Sequence, residues 1–452
     1  MIKKCRKFIL LSFLIYFLLS CATNTAEYRE IDNAVDVEKY RAAADEITVR
    51  QGSKRPLYPE KNAIMLFLDK GLLEYYAGDY KKSSQSLQEA ERLIEEAYTK
   101  SITANFMSYI LNDNTKEYPG EDFENIYLNI FNALNYYKRG DLDGALVEIR
   151  KLSETNGKLD MLARKYEYKD PSSGASLEEL VRREAADAEL PKGRKVEFNN
   201  CALARYLAVL FYLADGNDDG ARIEYEQLQR AFLTNRAVYR NPIPRIAAQL
   251  NNVPKGKAML NIIAFSGLSP VKEEEIIMYP IPMFQFPILT TANFKLPKMV
   301  RRPSKIDRIE VVVNSNKKFN LELLEDMSAV VEETFANRYT NIVIKTYIRT
   351  IMKYVAVGIA AAEAERKEQN GLLILAGVIA AKTAFEATER ADIRMSRYFP
   401  GKAYVGGIIL DPGTYNVTVN FYSGNNVISK EEHSNYLVRE KGLNLIDDVS
   451  LK

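Results

Sequence analysis

The chain has 452 residues with 62 basic and 60 acidic side chains, and this balanced charge, with no dense basic run beyond the first few residues, excludes a nucleic-acid footprint. A single histidine and three cysteines exclude imidazole-based triads and most zinc sites, and no G-x-x-x-x-G-K phosphate loop is present, so neither a metal nor a cofactor is expected. The histidine, His433, stands in Glu431-Glu432-His433-Ser434 and reads as a solvated loop or strand-edge residue.

The chain opens with Lys3, Lys4, Arg6 and Lys7, an apolar run from Phe8 to Leu19, and then Ser20-Cys21. This layout reads as a bacterial lipoprotein signal over residues 1–20, with Cys21 as the acylated first residue of the mature chain. The alternative is an uncleaved transmembrane anchor, but the apolar run falls short of the ~20 residues a spanning helix needs. Cleavage removes four basic residues and turns the formal charge from +2 to −2. It also removes Cys5, and acylation occupies Cys21, so Cys201 has no disulfide partner. Ala22 follows the lipidated residue where Asp would signal inner-membrane retention, which points to the outer membrane of a Gram-negative host. The length that remains suggests two domains.

Residues 21–60 read as a tether and lead-in, and residues 61–250 as an α-helical region. Three turns there share a pattern: Ala77-Gly78-Asp79, Arg139-Gly140-Asp141 and Asp215-Gly216-Asn217. Seven residues before each glycine stands Gly71, Ala133 or Val209; five after it stands Ser83, Ala145 or Ala221. Leu87, Ile149 and Tyr225 follow, then Ala90, Leu152 and Leu228. The spacing predicts antiparallel helix pairs: glycine takes a left-handed turn, Asp or Asn caps the next helix, and small residues let the helices approach. These units resemble tetratricopeptide repeats, although their glycines lie 62 and 76 residues apart rather than one repeat period. An irregular helical bundle is the alternative. Ser101 to Leu111 reads as an intervening helix, and Asp170 to Gly193 as a loop with a short helix. In the link, Asp113, Glu121, Asp122 and Glu124 read as helix-capping acids, with a cation site as the other reading.

Residues 255–452 read as β-rich and sandwich-like. Ala258 to Phe265 and Ile309 to Val313 are apolar runs of strand length, and Phe319, Leu321 and Leu323 alternate with polar residues. The proline–aromatic segment 279–287 can only be an edge or a surface arm. Tyr404 to Leu410 and Thr414 to Phe421, around Asp411-Pro412-Gly413, predict a β-hairpin; Ser423-Gly424-Asn425-Asn426 marks the next turn. An Ala/Gly-rich helical hairpin is inserted at about 341–397, with Gly358 and Ala362 on one arm and Gly377 and Ala381 on the other. A membrane-inserted hairpin is the competing reading. The apolar run Leu372 to Ala381 ends at Lys382, too soon to cross a bilayer, which favours packing on itself or on a partner. The expected fold class is therefore α+β: a tetratricopeptide-like helical region followed by a β-rich domain carrying a helical hairpin.

Five segments strengthen a family resemblance: Tyr118 to Glu124, Gly140-Asp141 through Ala145 to Glu148, Gly267 to Glu274, Ala391 to Arg394, and Pro412 to Tyr415. Through them the chain resembles the uncharacterised bacterial lipoproteins that carry tetratricopeptide-like repeats. The resemblance implies a secreted lipoprotein with helical repeats and a distal β region, and it assigns no catalytic residue. Arg394 reads as a buried ion-pair partner or a surface contact. The functional expectation is a non-catalytic scaffold, held to the membrane by acyl chains, whose repeats bind other envelope proteins. Tyr75, Tyr76, Tyr136 and Tyr137 are the candidate partner-binding residues, because adjacent helix positions point about 100° apart. The alternatives are a histidine-free glycan-acting enzyme using paired carboxylates and a carrier of a hydrophobic ligand.

Overall fold

The computed structural model describes residues 25–102, 113–152, 200–280, 291–367 and 371–452. The signal segment, Cys21, residues 170–193 and most of the stretches 101–111 and 279–287 lie outside the described residues.

Helices come first: α1 (Thr25–Asp36), α2 (Tyr40–Gln51), α3 (Ala63–Tyr76), α4 (Tyr80–Ile102), α5 (Asp122–Lys138), α6 (142–152), α7 (Ala202–Ala214) and α8 (Asp218–Thr234). The three predicted turns form as expected. Gly78, Gly140 and Gly216 have φ of 76°, 79° and 73°. In each turn the next residue's N–H donates to the carbonyl five residues back, at 2.9 Å. This closes the exposed carbonyls of the preceding helix as a left-handed cap does. Asp141 and Asn217 then cap α6 and α8 by accepting from Gly144 N and Gly220 N, each at 2.8 Å. The small residues at the spaced positions are buried, and a Cβ on Gly71 would sit 2.8 Å from Leu87 Cδ2. That contact sets how closely α3 and α4 approach. The lead-in is not a tether from Thr25 onward: Tyr28, Ile31 and Val35 of α1 and Ala43 and Ile47 of α2 are buried in the same core.

The strands are β1 (Ala258–Pro280), β2 (Thr291–Arg302), β3 (Arg308–Val313), β4 (Lys317–Asn320) and β5 (Glu322–Glu325), then β6 (Pro400–Leu410), β7 (Gly413–Ser423), β8 (Asn426–Val438) and β9 (Asn444–Ser450). One sheet has the order β2-β1-β6-β5, with β9 pairing parallel to β1; the other has the order β4-β3-β7-β8. β1 explains the layering. Leu260, Ile262 and Ala264 face the second sheet, while Met259, Ile263 and Phe265 join the helical core. A strand covered on both faces is apolar at successive positions rather than alternating.

The predicted hairpin at 404–421 is corrected by this layering. β6 lies between β1 and β5 in one sheet, and β7 lies between β3 and β8 in the other. β6 is apolar on both faces and so belongs to the middle layer. β7 alternates, with Val417, Val419 and Phe421 buried, and so covers the core from one side. Asp411 and Pro412 make the corner, and the Ser423–Asn426 turn does close the β7–β8 hairpin. Phe319 and Leu323 likewise fall on strands of different sheets, β4 and β5. His433 lies on β8, half-buried, with Nε2 3.0 Å from both carboxylate oxygens of Asp448. Burial lowers its pKa, but the hydrogen bond and charge of Asp448 outweigh burial and leave it raised.

The helical hairpin is also redrawn. Its first arm, α9 (Met327–Arg366), starts fourteen residues before Asn341, because Asp326 caps it by accepting from Ala329 N at 3.0 Å. Its second arm, α10 (Gly371–Thr388), stops well before Arg397. The chain from Ala391 to Phe399 runs instead as an extended strap over the helices. Its backbone N–H groups explain why: Ser396 N donates to Glu124 at 2.6 Å and Arg397 N donates to Asp69 at 2.7 Å. Buried carboxyl groups thus take the donors that a continuing helix would have used.

Candidate docking surface

The four candidate tyrosines do not line an open groove. Tyr75 is buried and the hydroxyl donates to Asp447 on β9; Tyr76 donates to the Tyr398 carbonyl at 2.9 Å and Tyr137 to the Leu443 carbonyl at 2.9 Å. These three join the helices to the chain's own strap and strands, which corrects their assignment to a partner. Tyr136 is half-buried, and its oxygen accepts from Gln88 Nε2 at 2.6 Å on the neighbouring helix. Lys138 pairs with Asp447 beside Tyr75. Burial and then the Asp447 charge hold the Tyr75 phenol well above its ordinary pKa, so it remains a donor.

The same seam contains polar pins that no local sequence signal announces. Glu325, fully buried at the end of β5, accepts from Tyr127 Oη at 2.5 Å, Tyr239 Oη at 2.8 Å, Leu203 N at 3.1 Å and Cys201 Sγ at 3.2 Å. Asp69 accepts from Tyr58 at 2.8 Å and from the Ser396 hydroxyl at 2.6 Å. Burial raises the pKa of Asp69. The link acids are occupied in the same way. Glu121 pairs with Lys272, Asp122 with Arg338, and Glu121 with Glu124 forms a reciprocal capping box at the start of α5. Glu124 also holds Tyr118 Oη, at 2.8 Å and 2.9 Å from its two oxygens; burial, then the charge of Glu121, pushes its pKa up to about 7. Asp113 opens a single 3-10 turn, Asp113–Thr115. Arg394 is a buried ion-pair partner: Nη2 lies 2.8 Å from Asp392 Oδ2, and Nη1 donates to the Lys116 carbonyl at 2.8 Å.

Glu325, Asp69, Glu121, Asp122 and Glu124 are each engaged by donors from the chain itself. Among the described residues, no cluster of three or more His, Cys, Asp or Glu side chains is placed to hold a metal. A cleft of about 270 Å³ lies between the end of α7, the 250–259 stretch and the β8–β9 loop, and Glu440 is the one acid in its lining. It is smaller than the ~300–1,000 Å³ of ligand pockets and lacks the carboxyl pair that glycoside hydrolysis uses.

Among the described residues, the finger formed by α9 and α10 exposes several large apolar side chains. Its inner side is closed. Tyr354, Val357 and Ala361 of α9 meet Val378 of α10 and Ala292 and Phe294 of β2, with Phe294 stacked on Tyr347. Its base is fixed by Glu389, which is buried and pairs with both Arg349 and Lys353. Its outer side is bare: Leu372 is 76 % exposed, Leu373 70 %, Ile359 63 % and Ile379 48 %. Residues 371–381 carry no charge at all. Full burial of such a side chain is worth ~1.5–3 kcal/mol, so covering the three on α10 would stabilise a complex by roughly 3–6 kcal/mol before the cost of association. Among the described residues no helix is long and apolar enough to cross a membrane. Eleven helical residues rise ~16 Å, half the bilayer core. The Ala/Gly-rich composition was legible in the sequence, but which side of α10 is bare depends on where α9 and β2 pack.

Comparison of the chain with protein-family models, with characterised proteins and with solved structures finds no match.

Proposed function

We propose that this chain is a lipid-anchored, non-catalytic protein of the bacterial cell envelope that works by docking, and that its docking surface is the outer side of the α9–α10 finger. The tether is acylated Cys21, and the outer membrane is its address in a Gram-negative host. The helix pairs around Gly78, Gly140 and Gly216 are degenerate tetratricopeptide-like units. Their role is to hold the β region and the base of the finger, because the tyrosines that would have read a partner are engaged within the chain. The observation that carries this reading is the uncharged, exposed face at Leu372, Leu373 and Ile379 on a finger whose base is locked by buried ion pairs. Contiguous apolar patches of this kind mark interaction sites on otherwise polar surfaces.

A photo-crosslinking amino acid at Leu373, compared with one at the exposed Arg222 of α8, tests it in intact cells. A discrete adduct from position 373 and none from position 222 is expected. Equal, diffuse labelling from both positions would remove the finger as a docking surface.

A further inference from the structure

We infer that the occupant of the finger's outer face is a second copy of this chain, joined by antiparallel pairing of the two α10 helices. The inference rests on the reading of the finger as the docking surface and names its partner.

Three observations carry it. The first is charge. Between Gly371 and Ala381 the helix has no ionisable side chain, so a partner bearing charge there would have to bury it unpaired. A surface without charge is its own electrostatic complement, the condition for an isologous two-fold contact in which one patch meets itself. The second is shape. Opposite the buried side (Ile374, Val378, Ala381, Phe385), the outward seam of α10 runs Leu373, Ala376, Ala380, Thr383, at the three-and-four spacing of paired helices. Reversing one copy about the level of Val378 sets Leu373 against Thr383 and Ala376 against Ala380. Large then meets small at the ends, and alanine meets alanine at the centre, where backbones must approach most closely. Gly377 also faces open space: among the described residues, nothing beyond its own helix backbone and chain neighbours lies within 4 Å of the Cβ it lacks. The third is area. Leu372, Leu373 and Ile379, 76 %, 70 % and 48 % exposed, form with the small residues between them a face smaller than the ~800 Å² per partner of a standard interface. A contact of that size gives a weak dimer in solution, and confinement of both copies to one membrane would raise their effective concentration.

The test uses the full mature chain begun at residue 22, which lacks the acyl group, in sedimentation equilibrium over a range of concentrations. The native chain is expected to show a reversible monomer–dimer equilibrium. Leu373→Glu and Thr383→Lys are each expected to weaken it at least tenfold, because each buries an unpaired charge. The double variant L373E/T383K is expected to restore it, since two-fold symmetry places each new Glu beside the partner's new Lys. Both positions are exposed, and unchanged thermal melts check that the variants fold. A native chain that stays monomeric at every concentration, or a double variant no better than the singles, overturns the proposal. If the native chain is monomeric yet position 373 crosslinks a different protein, or the chain floats with anionic lipid vesicles through this face, the finger docks something other than itself. If none of these contacts forms, the docking reading fails as well.

Discussion

Glu325→Leu is the most informative perturbation of the seam. The substitution keeps the approximate volume but removes the acceptor for Tyr127 Oη, Tyr239 Oη and Leu203 N, all of them buried. An unpaired buried donor costs about 1–3 kcal/mol, so three of them cost roughly 4 kcal/mol after the two hydroxyls turn toward other partners and the buried carboxyl's own desolvation penalty is removed. Glu325→Gln keeps one acceptor oxygen for Leu203 N and costs about 1 kcal/mol. Cys201 provides the assay. It is the one cysteine of a chain begun at residue 22, it is buried, and its sulfur lies 3.2 Å from Glu325. Burial holds its thiol pKa well above the ordinary value, so a disulfide reagent reacts only when the seam opens. With about 1.4 kcal/mol per tenfold, the Leu variant should be labelled nearly a thousandfold faster than native and the Gln variant about fivefold faster. If labelling of Glu325→Leu stays within about tenfold of native, the carboxyl group is not what holds helices and sheet together.

Four further outcomes are expected. Because the pKa of Glu124 is raised by burial to about 7, its contribution to stability is fully present below its unfolded value and lost as pH rises through about 7, a change of about 3 kcal/mol. Urea midpoints near pH 5 and pH 8 should therefore differ less in Glu124→Gln than in the native chain, and an unchanged difference would refute the assignment. Gly140→Ala should cost about 1–2 kcal/mol although nothing crowds its Cβ, because φ is +79° there. Gly377→Ala, in the interior of α10, should instead raise the melting temperature, by roughly 0.5–1 kcal/mol of stability. Glu389→Ala leaves Arg349 and Lys353 unpaired at the finger base, and the loss of about 3–5 kcal/mol should appear as faster amide exchange confined to α9 beyond Arg349 and to α10.

What the sequence by itself determined is local. The three glycine turns with their Asp or Asn caps, the buried small residues around them, the apolar run that becomes β1 and the uncharged helical run from Gly371 to Ala381 all follow from chemistry within a few residues. The tertiary structure decided what those pieces serve. Tyr75, Tyr76 and Tyr137 look like groove residues until β9, the β8–β9 loop and the strap take their hydroxyls. The strap is extended because Glu124 and Asp69, some 300 residues away, accept its N–H groups. Tyr404 to Leu410 and Thr414 to Phe421 look like one hairpin, and only the stacking of two sheets assigns them to different layers. Contacts closed over hundreds of residues leave no periodic trace, since each partner is chosen by the folded surface it meets.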